Sequence, residues 1–232
     1  LPVSEFAGTW NAVSWDPTDA AATSFVATVH LITFDATGQV TALSDCVGLA
    51  ACTPHSAPFS RFVVNANGGF EVPVTVSANT FTRAFLYKTL AGRTVAAFIT
   101  PERQFIVATR QGPITLPAVG AVSNFREFNL NGNRTIGALA ENTVTVTAVD
   151  TSAKTVTRLR SADNRVDTSR YDQPRDGLRY RALNSCTING AASNCAELVQ
   201  LPLQGMGITV STSVSSNPAT SFFGFAINKP AP

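Results

Sequence analysis

Seven of the chain's 17 basic residues fall between positions 158 and 181: Arg158, Arg160, Arg165, Arg170, Arg175, Arg179 and Arg181. Asp163, Asp167, Asp172 and Asp176 are interleaved with them. A guanidinium is a rigid fork of donors that grips a carboxylate or phosphate with two hydrogen bonds. Residues two apart on a strand share a face, so Arg158 pairs with Arg160 and Arg179 with Arg181. One reading is a surface for an anionic partner, such as a carboxylated polysaccharide or a phosphate. The other is a solvated face of self-paired charges, each pair contributing little.

Other residues with chemical potential are few. His30 and His55 are the only histidines; His30 lies among apolar strand residues and His55 follows Cys52-Thr-Pro54. Neither has the neighbouring ligands of a metal site. Glu71, Glu102, Glu127, Glu141 and Glu197 show no motif of paired carboxylates. There is no G-x-S-x-G nucleophile elbow, no phosphate loop and no dinucleotide fingerprint. A triad assembled from distant positions has no local signature to read. The expectation is therefore a protein without catalytic residues, metal or cofactor.

Four cysteines form two close pairs, Cys46 with Cys52 and Cys186 with Cys195. Neither spacing fits the tight C-x₂₋₄-C of a zinc site. Short loops close easily, which favours two local disulfides and an oxidising compartment. Leu1-Pro2-Val3-Ser4-Glu5 lacks the basic start and apolar core of a signal peptide, which suggests a mature N-terminus. No apolar run is long enough for a transmembrane helix. A formal net charge of +2 is too small for a nucleic-acid surface. The localisation that follows is secreted or cell-surface. Asn133-Arg134-Thr135 matches the N-glycosylation triplet.

The elements that must position these residues read as strands. Charged residues are only 14% of the chain, and Thr, Val, Ser and Ala take their place. Hairpin signals recur: residues 23–34, the turn Asp35-Ala-Thr-Gly38, and the return strand 39–43. Strands are also expected over 59–64, 70–76, 81–89, 94–100 and 104–109. After a Gly- and Pro-containing linker (111–120) they resume over 142–149, 154–160, 177–183, 208–214 and 222–227. No segment sustains helical periodicity, although short helical turns are expected around Leu49-Ala-Ala51 and Ala191-Ala192.

The two runs resemble each other in order, about 115 residues apart. Ile32 to Asp45 resembles Val146 to Asp163, Leu90 to Val95 resembles Gln204 to Val210, and Trp10-Asn-Ala-Val13 resembles Phe125-Arg-Glu-Phe128. The expected fold class is all-β: two related antiparallel β-domains, small barrels or sandwiches, from an internal duplication. The expected boundaries are 1–118 and 119–232.

Gly8-Thr9-Trp10, following Phe6, resembles the opening G-x-W motif of lipocalins. That resemblance implies a Trp packed across the base of an up-and-down barrel whose mouth binds apolar ligands. The later Thr-Asp-Tyr signature of that family is absent. The Phe-rich segments (Phe81, Phe85, Phe98, Phe105, Phe222, Phe223, Phe225) serve either to line such a cavity or to fill a core. Two functions follow. The first is a non-catalytic structural or assembly protein, a subunit of a filament, sheath or matrix, self-associating through strand edges or its tails, Leu1 to Phe6 and Asn228 to Pro232. The second is a lipocalin-like binding protein for an apolar small molecule or a glycan.

Overall fold

The computed structural model describes all residues except 47–51, 58, 60, 73–82, 101–103, 138 and 230–232. The helical turn expected at Leu49-Ala-Ala51, Phe81, Glu102, the turn Pro101-Glu-Arg103 and the last residues of the C-terminal tail lie outside the described residues. So do parts of the strands expected over 59–64, 70–76 and 81–89.

The fold is all-β, in two antiparallel sheets. The first contains β1 (Gly8–Pro17), β2 (Phe25–Phe34), β3 (Val40–Cys46), β4 (Cys52–Pro54), β5 (Val63–Val64), β6 (Phe70–Glu71), β7 (Arg83–Lys88), β8 (Thr94–Ile99) and β9 (Phe105–Arg110). Its order is β4-β3-β2-β1-β9-β8-β7-β6-β5. The sheet rolls on itself. Gln39 and Arg61 form a bridge, and Phe62 N donates to Gly38 O at 3.0 Å, so the β3 and β5 sides meet. The turn that makes this possible is the one read from the sequence. Asp35 Oδ1 accepts from Thr37 N at 2.8 Å and Gln39 N at 3.0 Å, and Gly38 takes φ +81°.

The second sheet contains β10 (Val122–Asn131), β11 (Ala140–Asp150), β12 (Thr155–Arg160), β13 (Arg165–Tyr171), β14 (Arg179–Arg181), β15 (Cys186–Ile188), β16 (Ala191–Ser193), β17 (Leu198–Leu203), β18 (Ile208–Ser213) and β19 (Phe222–Asn228). Its order is β12-β11-β10-β19-β18-β17-β14-β13-β15-β16. An added pairing of β12 with β13 closes eight of these strands into a barrel, with the β15–β16 hairpin attached outside the ring. Leaving aside β4 and the β15–β16 hairpin, both sheets follow the same up-and-down order. Strands β2, β3 and β7 begin at 25, 40 and 83; β11, β12 and β17 begin at 140, 155 and 198, each 115 residues later.

The period of two decides which side chains enter each interior. Trp10, Ala12 and Ser14 of β1 point into the roll, while Val13 and Trp15 point out. The roll is filled by Phe6, Trp10, Phe34, Phe62, Phe70 and Phe98, all buried. Trp10 sits at one end, under a 3₁₀ turn (Val3–Phe6), and its Nε1 donates to Phe6 O at 2.6 Å. The Arg110 guanidinium lies 5.6 Å over the Trp10 ring and also donates to Glu5 O. Residues Val3–Phe6 of the N-terminal segment are thus docked against the roll. Phe6 is 0% exposed because its ring has a place in the core. Residues 114–121 take the corresponding position in the barrel. Ile114, Leu116 and Ala121 pack on Val146, Val156 and Tyr171, and Asp172 Oδ1 accepts from Ile114 N at 2.9 Å.

The outward faces of the two sheets meet in a shared core. Val13, Trp15, Val29, Val95 and Val107 of the roll pack on Leu178, Tyr180, Val199, Leu201, Val210 and Phe223 of the barrel. Two backbone-directed bonds seal the seam: Phe25 N to Gly132 O at 2.8 Å and Ala27 N to Ser221 Oγ at 2.9 Å. Both disulfides form, Cys46–Cys52 across the β3–β4 pair and Cys186–Cys195 at the base of the β15–β16 hairpin.

Candidate functional site in the C-terminal barrel

The arginine cluster converges inside the barrel. On β12, Arg158 and Arg160 point inward; on β14, Arg179 and Arg181 do the same. All four line the lumen, together with Arg165 and Asp167 of β13. The sequence placed each pair on one strand face, as found. That face is the concave one, so the anion-recognising surface expected from the sequence is an internal wall. Arg170 is exposed. Arg175 lies at the seam, donating to Asn11 Oδ1 at 3.2 Å and to Cys52 Sγ at 3.1 Å.

Two adjacent cavities of about 360 Å³ each occupy the lumen. Phe125, Glu127, Val144, Arg158, Gln200 and Ser211 line both. The end nearer the β15–β16 hairpin adds Arg160, Asp167, Arg181, Cys195 and Phe222. The end nearer the linker adds Ile114, Tyr171, Arg179 and Thr209. The roll and the barrel therefore differ in filling. The roll interior is packed with Trp10, Phe34 and Phe98, while the barrel wall includes Glu127, Thr209, Ser211 and Gly224.

The five lumenal arginines are not equivalent. Arg160 is paired with Asp163 at 2.6 Å and lies 3.6 Å from Glu127. Arg165 and Arg181 both bind Asp167 Oδ1 at 2.8 Å, and Arg181 also donates to Ala196 O at 2.8 Å. Burial raises the Asp167 carboxyl against the pull of Arg165, Arg160 and Arg158. Arg158 and Arg179 form no ion pair among the described residues, and Arg158 feels the Asp167 carboxylate only from a distance. They stand over the Tyr171 ring at 5.5 and 5.6 Å, and Arg158 donates to the Tyr171 hydroxyl. Arg179 also donates to Thr209 Oγ1 at 2.8 Å, and its Nε is buried without a partner.

Burial, then the neighbouring charge of Arg179, push the Arg158 guanidinium down to about 9; burial pushes Arg179 down to about 10. Both remain cations at neutral pH. The shifts express the cost of holding two like charges in a space that water solvates poorly. An anion placed between them relieves that cost and gains charge-assisted hydrogen bonds.

The remaining residues singled out by the sequence are dispersed. Phe222 lines the lumen, Phe98 fills the roll, Phe223 and Phe225 lie at the seam, and Phe105 is at its edge. Glu141 binds Arg126 and Lys229 on the outside. Asp167, Cys186 and Cys195 lie together, but both cysteines are in the disulfide and have no thiolate to offer a metal. Tyr171, Gln200, Thr209 and Ser211 went unnoticed in the sequence, since none belongs to a motif; only their alternation with outward residues marks them.

No family model matches the chain, and no curated protein does. Among solved structures, a protein of unknown function of the DUF3598 family from Nostoc punctiforme aligns over 98% of both chains. The identity is 9% and the TM-score 0.30.

Proposed function

We propose that the protein is an extracellular binding protein that holds a small anion with an apolar body in the lumen of its C-terminal barrel. The observation that carries this reading is the pair Arg158 and Arg179, buried over Tyr171 and, among the described residues, held in no ion pair. Structural arginines are normally neutralised when buried, as Arg160, Arg165 and Arg181 are here. Phe125, Val144 and Phe222 supply the apolar wall for the rest of the ligand. The two disulfides suit an oxidising, extracellular setting. A duplication accounts for the common strand order, with one half packed by aromatic rings around Trp10 and the other hollow.

This reading takes precedence over assembly through strand edges. Rolling and closure leave β4, β5 and β16 as the end strands of the described sheets, three, two and three residues long. Such short edges offer little to a neighbouring chain.

Calorimetric titration tests the proposal. Laurate and anilinonaphthalene sulfonate are each compared with an uncharged analogue of the same size. The anions are expected to bind with about micromolar Kd, a binding free energy near −8 kcal/mol. The neutral analogues are expected to bind at least about tenfold more weakly, the loss of roughly one charge-assisted bond. Equal affinity for charged and neutral forms, or no binding of either, removes the proposal.

A further inference from the structure

The roll holds a second cluster that the anion site does not use. Strands β1, β2 and β3 lie side by side, with Ala12 opposite His30 and His30 opposite Asp45. Ser14, one inward position further along β1, reaches diagonally to His30. The Ser14 Oγ lies 2.6 Å from His30 Nε2, and His30 Nδ1 lies 2.7 Å from Asp45 Oδ1. Ser14 is 0% exposed and His30 7%. The cluster stands beyond the row of Trp10, Ile32 and Leu43, away from the 3₁₀ turn that plugs the other end.

An ionised carboxylate only accepts, so the proton on His30 Nδ1 is donated to Asp45 Oδ1. Nε2 faces the Ser14 oxygen. These are the residue types of nucleophile, general base and orienting carboxylate. Two further groups face them. Asp45 Oδ2 accepts from His55 Nε2 at 2.9 Å, which holds the carboxylate in place. Asp16 Oδ2 accepts the Ser14 hydroxyl proton at 2.7 Å, so that proton turns to His30 Nε2 only when Asp16 releases it. The other oxygen of Asp16, Oδ1, is buried without a hydrogen-bond partner among the described residues. A hydroxyl or ammonium group on an entering molecule satisfies that acceptor and draws Asp16 away from Ser14.

We propose that Ser14, His30 and Asp45 form a nucleophilic serine site inside the N-terminal roll, acting on a small ester that carries a hydrogen-bond donor. Ser14 Oγ adds to the ester carbonyl carbon while its proton passes to His30 Nε2. The ester C–O bond then breaks, and His30 returns the proton to the departing alkoxide. Water repeats the sequence on the acyl-serine, leaving the carboxylic acid and free Ser14. Ser14 is the nucleophile, His30 the base, and Asp45 a positioning residue acting through His30. All three stand on paired strands, which hold them more rigidly than loops would.

A fluorophosphonate is the probe. Its reaction needs only the activated oxygen: Oγ–P forms, P–F breaks, and fluoride leaves with the hydroxyl proton. The native, oxidised chain is incubated with it, and the adduct is located by peptide mass spectrometry. One adduct per chain is expected, on Ser14, and none in Ser14→Ala. His30→Gln and Asp45→Asn are expected to slow labelling by about a hundredfold or more, the usual range for a lost general base. Their circular dichroism should remain that of the wild type. The wild-type chain decides the matter even if a variant fails to fold. An unmodified Ser14 in the native protein, or labelling that appears only after unfolding, overturns the proposal. Equal labelling rates in wild type and folded His30→Gln overturn it as well.

Discussion

Arg158 and Arg179 are a liability unless something binds them. Removing either charge separates stability from function. Arg158→Met or Arg179→Met keeps the stem and deletes the guanidinium, and replacing buried charge by apolar volume is neutral or stabilising by about 1–4 kcal/mol. Chemical denaturation of the unliganded variants is expected to show equal or greater stability than wild type, while titration with laurate shows the anion lost. Lower stability together with intact binding would mean that the two arginines hold the barrel and not a ligand. Asp45 behaves in the opposite way. Burial pushes its carboxyl up, but the hydrogen bonds and charges of His30 and His55 outweigh burial and leave it below its ordinary value. A depressed folded value stabilises the protein above the unfolded one near 3.8, and that stability is lost as pH falls through the folded value. Its side chain is 42% exposed, so solvent screens the effect. Asp45→Asn is expected to cost about 1 kcal/mol at pH 7. Urea titrations across pH should show that gap closing in acid; a gap that widens in acid contradicts the assignment.

At the level of elements, turns and hairpins carry contacts that no strand pattern reveals. Gly132, in the turn after β10, lies at the seam. A Cβ there would stand 2.1 Å from Pro218 O and 2.5 Å from Phe25 O, both backbone atoms that cannot swing aside. Gly132 is not among the left-handed residues, so the cost is steric alone. Gly132→Ala is expected to destabilise by about 2–3 kcal/mol, read from the denaturation midpoint. The β15–β16 hairpin is a second case. Its disulfide closes a loop spanning nine positions of sequence next to the lumen. Cys186→Ser with Cys195→Ser is expected to cost about 2–3 kcal/mol by chain entropy. An unchanged midpoint would show that packing alone holds the hairpin. Strands β13 and β17 and this hairpin were not expected from the sequence. In β13, Arg165, Asp167 and Ser169 face a polar lumen, so the apolar alternation that marks a half-buried strand is missing. In β17, Pro202 sits among Leu198, Val199 and Leu201 and reads as a breaker.

For the molecule as a whole, the shared core between roll and barrel decides how it unfolds. Trp15, Val199, Leu201, Val210 and Phe223 are buried because the other half covers them. Separating the halves would expose this apolar surface to water at about 25 cal/mol per Å². Calorimetry of the intact chain is therefore expected to show one transition. Leu201→Asp places a charge in the seam and is expected to split the transition in two. Two transitions in the wild type would mean that the seam is weaker than its packing implies.

Alternation, turn chemistry and spacing along the chain determined much of this architecture. The β class, the Asp35–Gly38 hairpin, both local disulfides and the pairing of Arg158 with Arg160 and Arg179 with Arg181 are local properties, governed by neighbours a few residues apart. The repeat between the halves was legible because equivalent strands keep an equal spacing. The sense of each face was not. Both faces of β1 are apolar, with Trp10 and Ala12 on one side and Val13 and Trp15 on the other, and nothing local says which enters the roll and which meets the barrel. The arginines read as a surface because a strand does not encode whether its sheet will close around it. Ser14, His30 and Asp45 lie 16 and 15 residues apart, and only the register of β1, β2 and β3 makes them neighbours. Closure and register depend on contacts between distant strands, and so the tertiary structure alone decided the two sites.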